Sequence, residues 1–186
     1  MPFLKEVRLH GRGGQGSVTA ADIIAVSVIN EGKYAQAFPV FGAERRGAPV
    51  TAFVRISDQK IDLREEVYSP DIILVLDPTL PRVVKVNEGL KEDGTVILNT
   101  KSSPDEARKT VDAKGKIATV DATKIALEEL GIAVTNTSIL GAFAKATEMV
   151  KIESVVEAIK EHFPGTVGEK NAKAAERAYN EVKISG

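Results

Sequence analysis

Apolar residues along this chain gather into short runs separated by longer stretches with helical spacing. Six runs read as strands, at 6–10, 34–40, 50–56, 71–76, 95–99 and 116–120. Ile72-Ile73-Leu74-Val75-Leu76 and Val96-Ile97-Leu98 are continuously apolar, as strands covered on both faces are. Helical patterns lie between them, at 18–30, at 79–90 after Asp77-Pro78, and from the capping segment Asp121-Ala122-Thr123 to a stop at Gly131. The alternation predicts an α/β fold: a layered, mostly parallel sheet with helices on both faces. The last third changes character and reads as helical. Residues 138–150 carry Gly141, Ala142, Ala144 and Ala146, small enough for close helix packing. Ile152, Val155, Val156, Ile159 and Phe163 form one apolar stripe, and 169–182 form a final amphipathic helix. No repeat, low-complexity tract or linker divides the chain, so 1–186 reads as one domain.

The most informative segment runs from Val7 to Ile24. A short strand leads into Gly11, Gly13, Gly14 and Gly16, and Ser17 then occupies an N-cap position before an Ala-rich helix. Glycines let another group approach the backbone closely. The free N–H groups and dipole of a helix start favour an anion. A phosphate above the loop and a tight turn without ligand are both consistent with this pattern.

Two nucleotide folds are disfavoured. Gly11, Gly13 and Gly16 match the glycine spacing of a dinucleotide-binding turn, but that fold also needs an acid at the end of the second strand. Glu31 lies near the right distance, yet it closes the first helix, and the strand that follows carries no acid. A P-loop fails because no Lys-Ser/Thr pair follows the last glycine.

A net charge of −1 over 186 residues gives no electrostatic case for nucleic acid or an anionic membrane surface. The apolar runs are strand-length, and the first residues lack a signal-peptide core, which together predict a cytoplasmic chain without a membrane span. Cysteine is absent, so thiolate metal sites, cysteine nucleophiles and cysteine-ligated clusters are excluded from this chain. The two histidines, His10 and His162, have no metal-ligand spacing. His162 reads as a surface helix residue, while His10 borders the glycine loop.

A second constellation lies at Phe41-Gly42-Ala43-Glu44-Arg45-Arg46-Gly47-Ala48-Pro49. Adjacent arginines can fork onto a phosphate or carboxylate. The loop after the second strand should open on the same edge as the glycine loop, so the two could face one crevice. A subunit interface or a solvated loop are the other readings. Asp77 reads as a turn or cap residue, and Asn136-Thr137-Ser138 as a helix cap. No nucleophile has a placed base and no carboxylates are paired, so there is no catalytic set and no metal site. That is expected of a subunit that helps to form another chain's site.

The segments HGRGGQG, FPVFGAERRGAPVTAFVRIS, DIILVLDPTL and NTSILGAFAK, taken in order, resemble the gamma subunits of pyruvate:ferredoxin oxidoreductase (pyruvate synthase), within the 2-oxoacid:ferredoxin oxidoreductase group. The resemblance spans nearly the whole chain. It implies a multi-subunit enzyme that decarboxylates pyruvate, makes acetyl-CoA and CO2, and reduces ferredoxin. It implies alpha, beta and delta partner subunits that carry thiamine diphosphate, Mg2+ and [4Fe–4S] clusters, and this chain is not expected to be active alone. Coenzyme A is then the substrate whose phosphates Gly11, Gly13, Gly14, Gln15, Gly16, Arg45 and Arg46 would contact. A branched-chain 2-oxoacid enzyme, a stand-alone nucleotide- or CoA-binding module and a nicotinamide-dependent reductase are the competing expectations.

Overall fold

The computed structural model describes residues 3–40, 46–63 and 65–186. Seven strands form one sheet: β1 (Leu4–Arg12), β2 (Tyr34–Pro39), β3 (Pro49–Ser57), β4 (Ile72–Val75), β5 (Thr95–Asn99), β6 (Lys116–Val120) and β7 (Lys183–Ser185). Their order is β2-β3-β1-β4-β5-β6-β7. The β1–β4, β4–β5 and β5–β6 pairs are parallel, whereas β3 lies antiparallel between β1 and β2, and β7 runs antiparallel to β6. Five strands therefore point one way, and β3 and β7 point the other.

The chain leaves β1 through α1 (Ser17–Asn30) to β2 on one side and later reaches β4 on the other. The carboxyl ends of β1 and β4 thus flank the point where the winding reverses, which is where ligands settle in open α/β sheets.

Alternation sets the two faces. Val7 and Leu9 enter the larger core, whereas Arg8 and His10 lie on the opposite face. Every residue of β4 is buried: Ile72 and Leu74 face the larger core, and Ile73 and Val75 face the smaller one. The larger core is roofed by α1, α3 (Ala122–Leu130), α4 (Ser138–Thr147), α5 (Ile152–His162) and α6 (Thr166–Glu181). The smaller is covered by α2 (Pro104–Val111) and a 3-10 turn at Leu80–Arg82. Helices on both faces and the helical C-terminal third are as the apolar pattern predicts.

The predicted helix over 79–90 does not form beyond that single 3-10 turn. The β-branched residues Val83, Val84 and Val86 disfavour continuation. Arg8 also draws the carbonyls of Val86 and Glu88 to β1, so these groups find partners outside a helix. Two elements went unpredicted. One is α2, opened by a capping box in which Ser103 and Glu106 exchange hydrogen bonds. The other is β7. Glu31 ends α1 and binds the N–H of Lys151 at 2.7 Å and the Ser154 hydroxyl at 2.8 Å, which ties α1 to α5. Among the described residues no helix is long and apolar enough to cross a membrane.

Candidate functional site

The glycine segment does not act as one uniform loop. Gly11 lies inside β1, opposite Val50 of β3. A Cβ there would sit 2.1 Å from the Ser17 hydroxyl, so glycine is required by the helix start packed behind the strand. Ser17 is the first helical residue rather than the N-cap; Gly16, with φ of 79°, takes that position. The Ser17 hydroxyl is buried and makes no hydrogen bond among the described residues.

Beyond β1 the chain bonds to the segment before β3. The Gly13 N–H donates to the Ala48 carbonyl at 2.9 Å, and the Gly47 N–H donates to the Gly13 carbonyl at 3.0 Å. Gly13 and Arg46 form a bridge, and the Arg46 side chain lies 4.0 Å from where a Cβ on Gly14 would be. The two constellations therefore meet, as the sequence suggested, at the carboxyl edge of the sheet. The Gly13 N–H is consumed by this contact. Residues 41–45 lie outside the described residues, so Arg45 and Glu44 are not placed.

Gln15 is consumed as well. Its Oε1 accepts the Arg12 N–H at 2.7 Å, and its Nε2 donates to Asp77 at 2.6 Å. Asp77 also accepts from the N–H and hydroxyl of Thr79 and faces Arg12 Nε at 3.3 Å. Burial opposes the charge on Asp77, but the bonds from Thr79 and Gln15 and the Arg12 guanidinium hold its carboxyl below the usual range. Arg12 extends further to the Gly47 carbonyl and the Thr79 hydroxyl. Asp77 is thus the anchor of the turn, which deepens its expected turn role. Arg12 and Thr79 were not singled out from sequence.

A cradle remains. Among the described residues the N–H groups of Gly14, Gly16, Ser17, Val18 and Thr19 meet no acceptor. Gly14 and Gly16 both hold positive φ, at 91° and 79°. Unpaired donors in a turn that leads into a helix start suit an oxyanion. Gly14, Gly16 and Arg46 are the predicted site residues that border it.

Asn136, Thr137 and Ser138 do not cap α4; its N-cap, Thr137, makes no side-chain capping bond. Thr137 donates instead to Asn171, and Ser138 to the Ala122 and Thr135 carbonyls. Asn136 packs on Gly16, where a Cβ would meet its Nδ2 at 2.6 Å. His10 points away from the cradle, onto the helix-poor face of β1, and accepts from Arg8 Nε at 3.1 Å.

Fold, glycine turn and sequence together define a class, and the chain belongs to it: residues 6–181 match the pyruvate ferredoxin/flavodoxin oxidoreductase family. The chain is 59% identical over 180 residues to the pyruvate/ketoisovalerate oxidoreductases common subunit gamma of Thermococcus kodakarensis, covering 96% of this chain and 97% of that one. It is 55% identical over 181 residues to pyruvate synthase subunit PorC of Methanothermobacter marburgensis, covering 97% and 99%. Its fold superimposes on the crystal structure of pyruvate oxidoreductase subunit PORC from Thermotoga maritima with a TM-score of 0.86 at 41% identity, covering 98% of this chain and 99% of that one.

Proposed function

We propose that this chain acts, as one domain, as the gamma subunit of a pyruvate:ferredoxin oxidoreductase. The observation that carries the reading is the near full-length match to subunits whose names all specify pyruvate. The branched-chain alternative is not favoured over this. The chain holds no cysteine, so it cannot supply thiolates to an iron–sulfur cluster. Clusters, thiamine diphosphate and Mg2+ belong on the alpha, beta and delta partners, and ferredoxin receives the electrons.

This chain's contribution is the anion cradle. The free N–H groups of Gly14, Gly16, Ser17, Val18 and Thr19, with Arg46 beside Gly14, receive a phosphate of coenzyme A. Gln15, Asp77 and Arg12 set the shape of the turn and do not touch the ligand. The cradle offers no group to move a proton or form a bond; it binds and orients.

Two measurements test the reading. Affinity capture of the native chain should bring down iron–sulfur and thiamine-binding subunits with pyruvate-dependent, ferredoxin-reducing activity; capture of the chain alone refutes it. In the assembled enzyme, Arg46→Glu should raise the KM for coenzyme A at least about tenfold, the loss of one charged contact worth roughly 1.5–3 kcal/mol. An unchanged KM removes the cradle from coenzyme A binding.

A further inference from the structure

Three strands along the sheet from the glycine turn, a polar pocket of about 280 Å³ opens where β5 and β6 end and β7 begins. The buried Thr119 lines it, and so do three exposed lysines: Lys101 from the loop after β5, Lys124 from the first turn of α3 and Lys183 from the start of β7. None of the three ammonium groups makes an ion pair among the described residues. The two acids at the pocket are already engaged. Asp121 caps α3 by accepting the Lys124 N–H at 3.0 Å, and Glu181 accepts from Arg177 Nε at 2.6 Å. The whole chain has a net charge of −1, so this excess of unpaired cations is local.

The edge around the pocket is braced. Asn99 donates to the Leu76 carbonyl at 2.7 Å and the Thr123 hydroxyl at 2.9 Å, and accepts the Thr123 N–H at 3.2 Å. The Ser102 N–H donates to the Thr100 hydroxyl at 3.2 Å. The N–H groups of Ser102, Thr123 and Lys124 are thus spent within the edge, in contrast to those of the cradle. Recognition falls to the lysines, whose hydrated point charges on flexible stems suit half-solvated carboxylates on a protein surface rather than an enclosed small anion.

We infer that this pocket is a docking socket for an acidic surface segment of the partner subunit that covers the carboxyl edge of the sheet. The inference rests on the reading of this chain as an oxidoreductase gamma subunit. The cradle offers no group to make or break a bond, so a substrate held there reacts only where a partner closes over the same edge. The strands β1, β4, β5 and β6 are parallel, so the loops that follow them all open on that edge. A partner seated over the cradle extends toward the three lysines, and carboxylates on it complete their missing pairs. Exposed pairs of this kind add little affinity each, but they steer the encounter and fix its register.

The test measures the rate at which the full chain associates with the complex of the remaining subunits, without coenzyme A. It is run at about 0.01 M and about 1 M salt, between which the Debye length falls from about 30 Å to about 3 Å. One variant combines Lys101→Glu, Lys124→Glu and Lys183→Glu. A control combines Lys60→Glu, Lys109→Glu and Lys114→Glu, exposed positions away from the pocket, and changes the net charge equally. The pocket variant should associate about tenfold or more slowly than the native chain at low salt, with the difference closing at high salt, while the control stays near the native rate. A native rate and salt dependence in the pocket variant overturn the inference. Equal slowing by the control also overturns it, since net charge alone would then be the cause. Unchanged association with a raised KM for coenzyme A overturns it too, and gives the lysines to an anionic substrate. Should the triple variant not fold, the three single substitutions decide by the same measurement. Failure of the native chain itself to associate refutes the gamma-subunit reading instead.

Discussion

Gln15 bolts the glycine turn to Asp77. One end of its side-chain amide takes the Arg12 N–H at 2.7 Å, and the other donates to the Asp77 carboxylate at 2.6 Å. The turn after β1 is therefore fixed from within and also tied to the turn after β4, across the point where the sheet reverses its winding. The turn that carries the N–H groups without an acceptor among the described residues is thus held in shape by a side chain whose amide is paired at both ends.

Asp77→Ala should loosen this turn. It removes the acceptor of Gln15 Nε2 and the counter-charge of Arg12, both largely withdrawn from water. The expected cost is about 1–3 kcal/mol in urea unfolding of the purified chain, because charged hydrogen bonds are lost and a donor is left unpaired. Amide hydrogen exchange should also accelerate at residues 12–16. Protection equal to that of the native chain would show that the turn holds its shape without Asp77.

Gly16 and Gly47 make a controlled pair. Both have positive φ, 79° and 81°, but a Cβ on Gly16 meets Asn136 at 2.6 Å whereas one on Gly47 meets nothing within 4 Å. Gly47→Ala should cost only the backbone conformation, roughly 1 kcal/mol. Gly16→Ala should cost visibly more, and combining it with Asn136→Gly should recover the difference, leaving a residue close to the Gly47→Ala value. Equal costs for the two single variants would rule out the contact with Asn136 as a constraint.

Long apolar runs and glycine punctuation made most of this fold readable. The continuous apolar run at Ile72–Val75 suits a strand buried on both faces, which it is, and Asp121 and Gly131 mark the two ends of α3 as caps should. The 79–90 segment misled because its apolar spacing suits a helix while Arg8, distant in sequence, captures its carbonyls. The capping box Ser103-Pro104-Asp105-Glu106 is a local signal for α2 that hydrophobic spacing alone does not contain. The site was only half legible. Glycines announce a tight turn, but which N–H groups stay free depends on pairing with Ala48 and Gly47, set by the β1–β3 register. Asn136 gave no signal beyond resembling a cap; its contact with Gly16 exists only once the start of α4 is folded against the glycine turn.

Gly141 carries the packing of α4 on α6. A Cβ there would lie 1.8 Å from the Ala175 carbonyl oxygen and 2.7 Å from the Tyr179 N. These are backbone atoms of the facing helix, so no rotamer change relieves the clash. Gly141→Ala should cost about 3 kcal/mol or more despite its better helix propensity, seen as a lowered urea midpoint or as insoluble expression. A neutral or stabilised variant would mean that the two helices are not in close contact.

His10 sets a pH dependence that is separable from that of the carboxylates. Burial first, and then the nearby Arg8 charge, push its imidazole down to about 4 from an ordinary 6.5, while a backbone bond to Val86 opposes them weakly. Above pH 6.5 the group is neutral in both folded and unfolded chains and has no effect. As pH falls below 6.5 the unfolded chain takes up a proton that the native chain refuses, so the unfolded state binds more protons and stability declines. The decline levels off near pH 4, where native His10 also protonates. The slope approaches 1.4 kcal/mol per pH unit, so about 2 kcal/mol should be lost between pH 7 and pH 5. Asp71 and Asp77, whose pKa values are lowered, contribute stability that is present above the ordinary 3.8 and is lost only as pH falls below it. His10→Gln keeps an acceptor for Arg8 Nε and removes the titration. Urea unfolding of this variant should show a much flatter profile from pH 7 to pH 5 than the native chain. The same slope in both would mean that His10 takes up its proton as readily in the folded chain as in the unfolded one.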